Sequence, residues 1–69
     1  MNGKVKWFDD VKGFGFVVTD EGSEYFVHWK SIVTVSDTDR KFLVQDELVE
    51  FDTLETDKGV QAINVIRKL

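Results

Sequence analysis

Few residues in this sequence could do covalent or metal chemistry, and their spacing does not suit it. His28 is the sole histidine and there is no cysteine, so a metal centre has no second nitrogen or sulfur ligand to complete it. Ser23, Ser31 and Ser36 could be nucleophiles only beside a positioned base, and His28 has a better use among the aromatics around it. The carboxylates Glu50 and Asp52 read as a solvated strand face. We therefore expect no enzyme, no catalytic residue, no metal and no cofactor. Rings interleaved with lysines offer a different chemistry. A flat π-face stacks on an unpaired base, worth about 1–3 kcal/mol per base by alanine substitution. Ammonium groups beside it neutralise phosphate. Phe14, Phe16, Phe26 and His28 are the candidate rings; Lys6, Lys12, Lys41 and Lys58 are the candidate cations.

Strands must position those side chains. No long segment keeps apolar residues at helical spacing, whereas short alternating runs are frequent. The pattern predicts strands over Asn2 to Phe8, Gly13 to Thr19, Glu24 to Trp29, Glu47 to Leu54 and Val60 to Lys68. Asp20-Glu21-Gly22-Ser23 and Thr56-Asp57-Lys58-Gly59 supply turns. A helical turn is expected at Ser31 to Val33, and a polar connection at Ser36 to Arg40. In the fourth strand Val49, Phe51 and Thr53 should share one face, and in the fifth Ile63 and Val65 should enter the core. Five short strands in a chain too small for two packed sheets suggest a small closed barrel, which removes its own edges.

Period 2 puts Phe14 and Phe16 on one face of the second strand, with Gly15 and Val17 on the other. Phe26 and His28 likewise oppose Tyr25 and Val27. Two arrangements satisfy this pattern about equally. Phenylalanine is usually buried, so the rings could be the core and the valines the surface. If the valines are the core, the rings stand together outside, and Gly13 and Gly15 flank Phe14 where something can approach the backbone closely.

Composition bounds the partners. The chain has 69 residues, enough for a single domain, and a net charge of −4. That sign disfavours binding phosphates by bulk electrostatics, so stacking should carry more of any nucleic-acid affinity than charge. No apolar stretch approaches the roughly 20 residues needed to span a bilayer, and Met1 to Trp7 does not read as a signal peptide. These features suggest a cytoplasmic, soluble protein with no membrane partner. Closed edges make a monomer the expectation.

Longer motifs carry a resemblance. Gly3-Lys4-Val5-Lys6-Trp7-Phe8-Asp9 followed by Lys12-Gly13-Phe14-Gly15-Phe16-Val17 resembles the opening of cold-shock domains, including their first ribonucleoprotein motif. Phe26-Val27-His28-Trp29 resembles the second motif. Arg40-Lys41-Phe42-Leu43 is similar to the segment after the central loop in the Y-box branch. Val49-Glu50-Phe51-Asp52 and Lys58-Gly59-Val60-Gln61-Ala62-Ile63-Asn64-Val65 are similar to the last two strands. The resemblance implies an all-β, five-stranded antiparallel barrel of the oligonucleotide-binding (OB) type. It implies binding of single-stranded RNA and DNA, often pyrimidine-rich, and a role as RNA chaperone or regulator of transcription or translation. By position it implies stacking by Trp7, Phe14, Phe16, Phe26, His28, Trp29 and Phe42, basic contacts from Lys6, Lys12 and Lys58, and polar contacts from Asp9 and Gln61. Phe8 is also a candidate, but it and Trp7 cannot both face outward from a regular strand, so a bulge or partial burial is required.

The sequence departs from the family pattern in places. Tyr25 stands at an inward position and needs a partner for its hydroxyl. Ile63 replaces a common alanine, Val60 a frequent proline, and Val44-Gln45-Asp46 lacks the usual turn glycine. The alternative function on the same barrel is a protein-interaction module whose aromatic face docks a partner protein.

Overall fold

The computed structural model describes residues 1–34 and 41–68. Strands β1 (Asn2–Asp9), β2 (Phe14–Val18), β3 (Glu24–His28), β4 (Leu48–Thr56) and β5 (Gly59–Arg67) close into a barrel in the order β1-β2-β3-β5-β4. The expected polar connection at Ser36 to Arg40 lies outside the described residues. The expected helical turn occurs two residues early, as a 3-10 turn over Trp29–Ser31, because β3 ends at His28.

Four of the five seams are antiparallel, as expected, but the seam that closes the barrel is not. Strands β3 and β5 run parallel, with Phe26 opposite Gln61 and Val27 opposite Ala62. A further parallel bridge joins Ile32 to Val65. The chain reaches this seam through the β4–β5 hairpin, so β5 arrives alongside β3 in the same direction.

The core consists of Val5, Val17, Val27, Ile32, Leu43, Val49, Phe51, Ala62 and Val65. Val5, Val17 and Val27 are 0% exposed. They lie in register across β1, β2 and β3: Val5 faces Val17, and Gly15, two residues before Val17, faces Val27. The valines are inside and the phenylalanines of β2 and β3 are outside.

Two departures from alternation correct the sequence reading of β4 and β5. Thr53 is exposed and does not share the buried face of Val49 and Phe51, and the β4–β5 register shifts between Glu50 and Asp52, where β5 advances three residues, from Ile66 to Ile63. In β5, Asn64 adopts a left-handed φ of 51°. The kink lets Ala62 and Val65 both point inward and leaves Ile63 half-buried. The extra volume of Ile63 relative to alanine is thus partly accommodated at the surface. Tyr25 packs on the core with its ring 5.7 Å from that of Phe51. Among the described residues no buried side-chain polar atom lacks a hydrogen-bond partner.

The turn before β4 works without glycine. Asp46 takes a φ of 71°, a region that aspartate visits more readily than most side chains. Hydrogen bonds over-determine it: Asp46 N–H donates to the Val5 carbonyl at 2.8 Å, and Val44 N–H donates to Glu47 Oε1 at 3.1 Å.

Candidate nucleic-acid interface

Strands β1, β2 and β3 hold four rings in a closed circuit on the outer surface. Trp7 meets Phe14 at 5.9 Å and Phe16 at 5.5 Å between ring centroids. Phe26 meets Phe14 and Phe16, each at 5.8 Å. Register explains the grouping: Trp7 lies opposite Phe16, and Phe16 lies opposite Phe26. His28 lies opposite Phe14, which extends the same face toward the 3-10 turn. The tilted and edge-on contacts rigidify the cluster while Trp7 remains 38% exposed.

A bulge solves the conflict between Trp7 and Phe8. The β1–β2 register shifts between Val5 and Trp7. Lys6 and Trp7 therefore both face outward, and Phe8 turns inward to pack against the core. Phe8 is separated from the other candidate rings by the thickness of the sheet.

The glycines serve packing. A β-carbon on Gly15 would lie 2.2 Å from the Trp7 carbonyl oxygen and 2.7 Å from Phe8 Cα. Only glycine lets β2 approach the bulged β1 so closely. Gly13, with φ of 79°, leaves the space that the Trp29 indole fills: a β-carbon there would sit 2.5 Å from Trp29 Cδ1. The expected close approach to these glycines is made by the protein itself, by Trp7 and Phe8 at one and Trp29 at the other.

Trp29 is the second centre of the face. Its main-chain N–H donates to the Gly13 carbonyl at 2.9 Å, and its ring lies 5.7 Å from that of His28. The ammonium groups of Lys30 and Lys41 lie 5.6 and 5.5 Å from the indole centroid, cation–π contacts worth about 0.5–1 kcal/mol each at an exposed site. His28 Nδ1 accepts a hydrogen bond from Lys30 N–H at 3.2 Å, so the neutral ring carries its proton on Nε2 and offers it as a donor. Phe42 is 36% exposed beside Lys41, while Leu43 turns into the core. Phe42 comes from the segment before β4, outside the three strands that build the ring circuit.

The polar candidates divide. Asp9 caps the β1–β2 turn, its Oδ1 accepting from the N–H groups of Val11 and Lys12 at 3.0 Å each. Lys6 is bound to Glu24 Oε1 at 3.0 Å, whereas Lys12 is exposed with no ion pair among the described residues. Lys58 and Gln61 line a recess of about 390 Å³ whose walls include Phe16 and Phe26, with Glu24 at its margin. Two further side chains, Glu24 and Lys30, border this face without being among the residues expected there. Glu24 was legible by period 2, two residues before Phe26 on the same face. Lys30 directly follows Trp29, but only the fold turns its ammonium back onto the indole.

The arrangement is a ring-covered sheet face edged by ammonium groups, with no grouping of three or more metal-ligating side chains among the described residues. No helix among them is long and apolar enough to cross a membrane.

Comparison with known proteins agrees with this geometry. The chain is 48% identical to a cold shock-like protein of Thermotoga maritima over 65 residues, covering 94% of each chain. It is 44% identical to the major cold shock protein CspA of Pseudomonas aeruginosa over 65 residues, 94% of this chain and 90% of that one. Identity with cold shock protein CspD of Bacillus subtilis is 41% over 67 residues, 97% of both chains. Among solved structures, Drosophila Unr CSD456 superposes on 99% of this chain with a TM-score of 0.74 and 22% identity, a likeness of fold that spans 26% of that longer chain. The family described as the 'Cold-shock' DNA-binding domain matches residues 1–68, and this chain belongs to that nucleic-acid-binding family.

Proposed function

We propose that the protein binds single-stranded RNA and DNA by stacking unpaired bases on the circuit of Trp7, Phe14, Phe16 and Phe26. His28, Trp29 and Phe42 extend the path, and Lys12, Lys41 and Lys58 meet the backbone, with Gln61 contributing polar contacts. Lys6 joins them to the extent that it leaves Glu24, and Asp9 acts through the turn that presents Lys12. Phe8 supports the face from within. One observation carries this reading: the valines of β1, β2 and β3 are fully buried, at 0% exposure, and the rings of the same strands gather outside. Half-buried rings at a surface contribute less to folding than they would in a core, so a ligand with flat faces is the economical explanation of their clustering.

Sequence choice is weak, because every base has a π-face, with pyrimidine-rich strands favoured. The biological role that fits is RNA chaperoning or control of transcription or translation by a monomer. Titration of an oligonucleotide, followed by Trp7 and Trp29 fluorescence, tests the reading. Saturable quenching by a single strand and little by its duplex at the same salt is expected, since pairing hides the bases. Equal affinity for duplex and separated strands would overturn it. Quenching by neither strand nor duplex would redirect the aromatic face to a protein partner.

A further inference from the structure

The lysines of the described residues are sorted. Lys4 pairs with Asp46 at 4.0 Å, Lys6 with Glu24 at 3.0 Å and Lys68 with Glu50 at 3.8 Å. Lys12, Lys30, Lys41 and Lys58 make no ion pair among the described residues, and two of these four converge on one indole. We propose that Lys30 and Lys41, held on Trp29, form a binding site for the backbone phosphate of a single strand. The proposal rests on the stacking function above and names its electrostatic part.

Geometry builds the site from the indole outward. The main chain of Trp29 is held by its amide N–H bond to the Gly13 carbonyl at 2.9 Å, and its ring fills the space over Gly13 that a β-carbon would take. The main chain of Lys30 is held by His28 Nδ1 at 3.2 Å. Both ammonium groups lie within 5.6 Å of the indole centroid. The lysines come from different segments, on either side of the residues 35–40 connection, so the indole is what brings them together. A lysine side chain otherwise loses much rotamer freedom on binding, and the cation–π contacts restrict these two beforehand.

Charge makes such a site consequential. The whole chain carries −4, so a phosphate approaching at random meets net repulsion. An ammonium already bound to a carboxylate must break that pair to help. Among the described residues Lys30 and Lys41 have no such pair to break, and an indole is a neutral partner that leaves their charge intact. A base stacked on the Trp7 and phenylalanine circuit would then have its backbone led past two uncommitted cations.

The test is the salt dependence of oligothymidylate binding, read by tryptophan fluorescence. Log affinity falls with log salt at about −0.7 per phosphate neutralised. The double variant Lys30→Gln with Lys41→Gln should have a slope shallower than wild type by about 1.4. Over a tenfold rise in salt it should therefore lose about 25-fold less affinity than wild type does. Lys4→Gln with Lys68→Gln removes the same formal charge from paired lysines and should leave the slope near that of wild type. All four lysines are exposed, and thermal melting checks that each variant stays folded. A wild-type slope in the Lys30 and Lys41 variant overturns the site, as does an equal loss of slope in the Lys4 and Lys68 control, which would mean diffuse charge. If the wild-type protein itself gives no saturable quenching, the stacking reading fails first.

Discussion

The two halves of the barrel use outward positions in opposite ways. On β1, β2 and β3 the outward positions hold Trp7, Phe14, Phe16, Phe26 and His28; on β4 they hold Leu48, Glu50, Asp52 and Leu54, with Glu55 also exposed. Inward positions do not differ in kind, since both halves send valines to one core, with Phe51 added from β4. A surface of clustered rings and a surface of carboxylates interspersed with leucines therefore sit on the same apolar interior. Folding needs the interior, and it does not account for the rings. The proposed stacking of bases would account for this difference between the halves.

The largest effect should come from the core itself. Phe51 is 1% exposed, and Phe51→Ala should cost about 3–5 kcal/mol of unfolding free energy, enough to unfold much of so small a domain. Urea denaturation followed by fluorescence measures it. A loss below about 1 kcal/mol would mean that β4 does not anchor the interior as described.

Next are the rings that separate the halves. Phe14→Ala, Phe16→Ala and Phe26→Ala should each weaken oligonucleotide binding by about 1–3 kcal/mol and lower stability by clearly less than Phe51→Ala. Some stability will go, because neighbouring rings cover one another. Val27→Ala is the converse: it opens a cavity beneath the sheet and should weaken folding while leaving affinity per folded molecule nearly unchanged. Paired titrations and denaturation curves on the four variants would break the comparison if phenylalanines proved essential for folding and Val27 dispensable.

The smallest effect belongs to the acidic face. Glu50 is exposed and its pair with Lys68 spans 3.8 Å, so Glu50→Gln should change stability by no more than about 0.5 kcal/mol. Relief of long-range repulsion should raise affinity slightly at low salt, and the gain should vanish as salt rises. A gain that persists at high salt would place strand four in contact with the ligand.

Legibility differed between the same two halves. In β2 and β3 strict alternation runs unbroken from Phe14 to Val18 and from Glu24 to His28, so the grouping of Phe14 with Phe16 and of Phe26 with His28 could be read directly. In β5 the extra residue around Asn64 shifts the register and breaks the period, so alternation misplaced Ile63, and in β4 the buried face ends at Phe51, before Thr53. A one-residue irregularity flips every side chain beyond it, and nothing in local residue type announces where it falls.

By itself the sequence determined five strands, their turns, which rings share a face and, through its motifs, the family. Those properties follow from period, turn chemistry and residue identity, all of which are local. Which face is inside was settled by the closing of the barrel, because alternation is symmetric between in and out until the sheet closes on itself. The tertiary structure also decided that β3 and β5 meet in parallel, that Phe8 turns inward past the β1 bulge, and that Gly13 and Gly15 make room for Trp29 and for β1. The sorting of lysines into paired and uncommitted was equally invisible in the sequence. Lys6 meets Glu24 and Lys41 meets Trp29 only because distant segments are brought together, and an ammonium group's partner is set by distance in space.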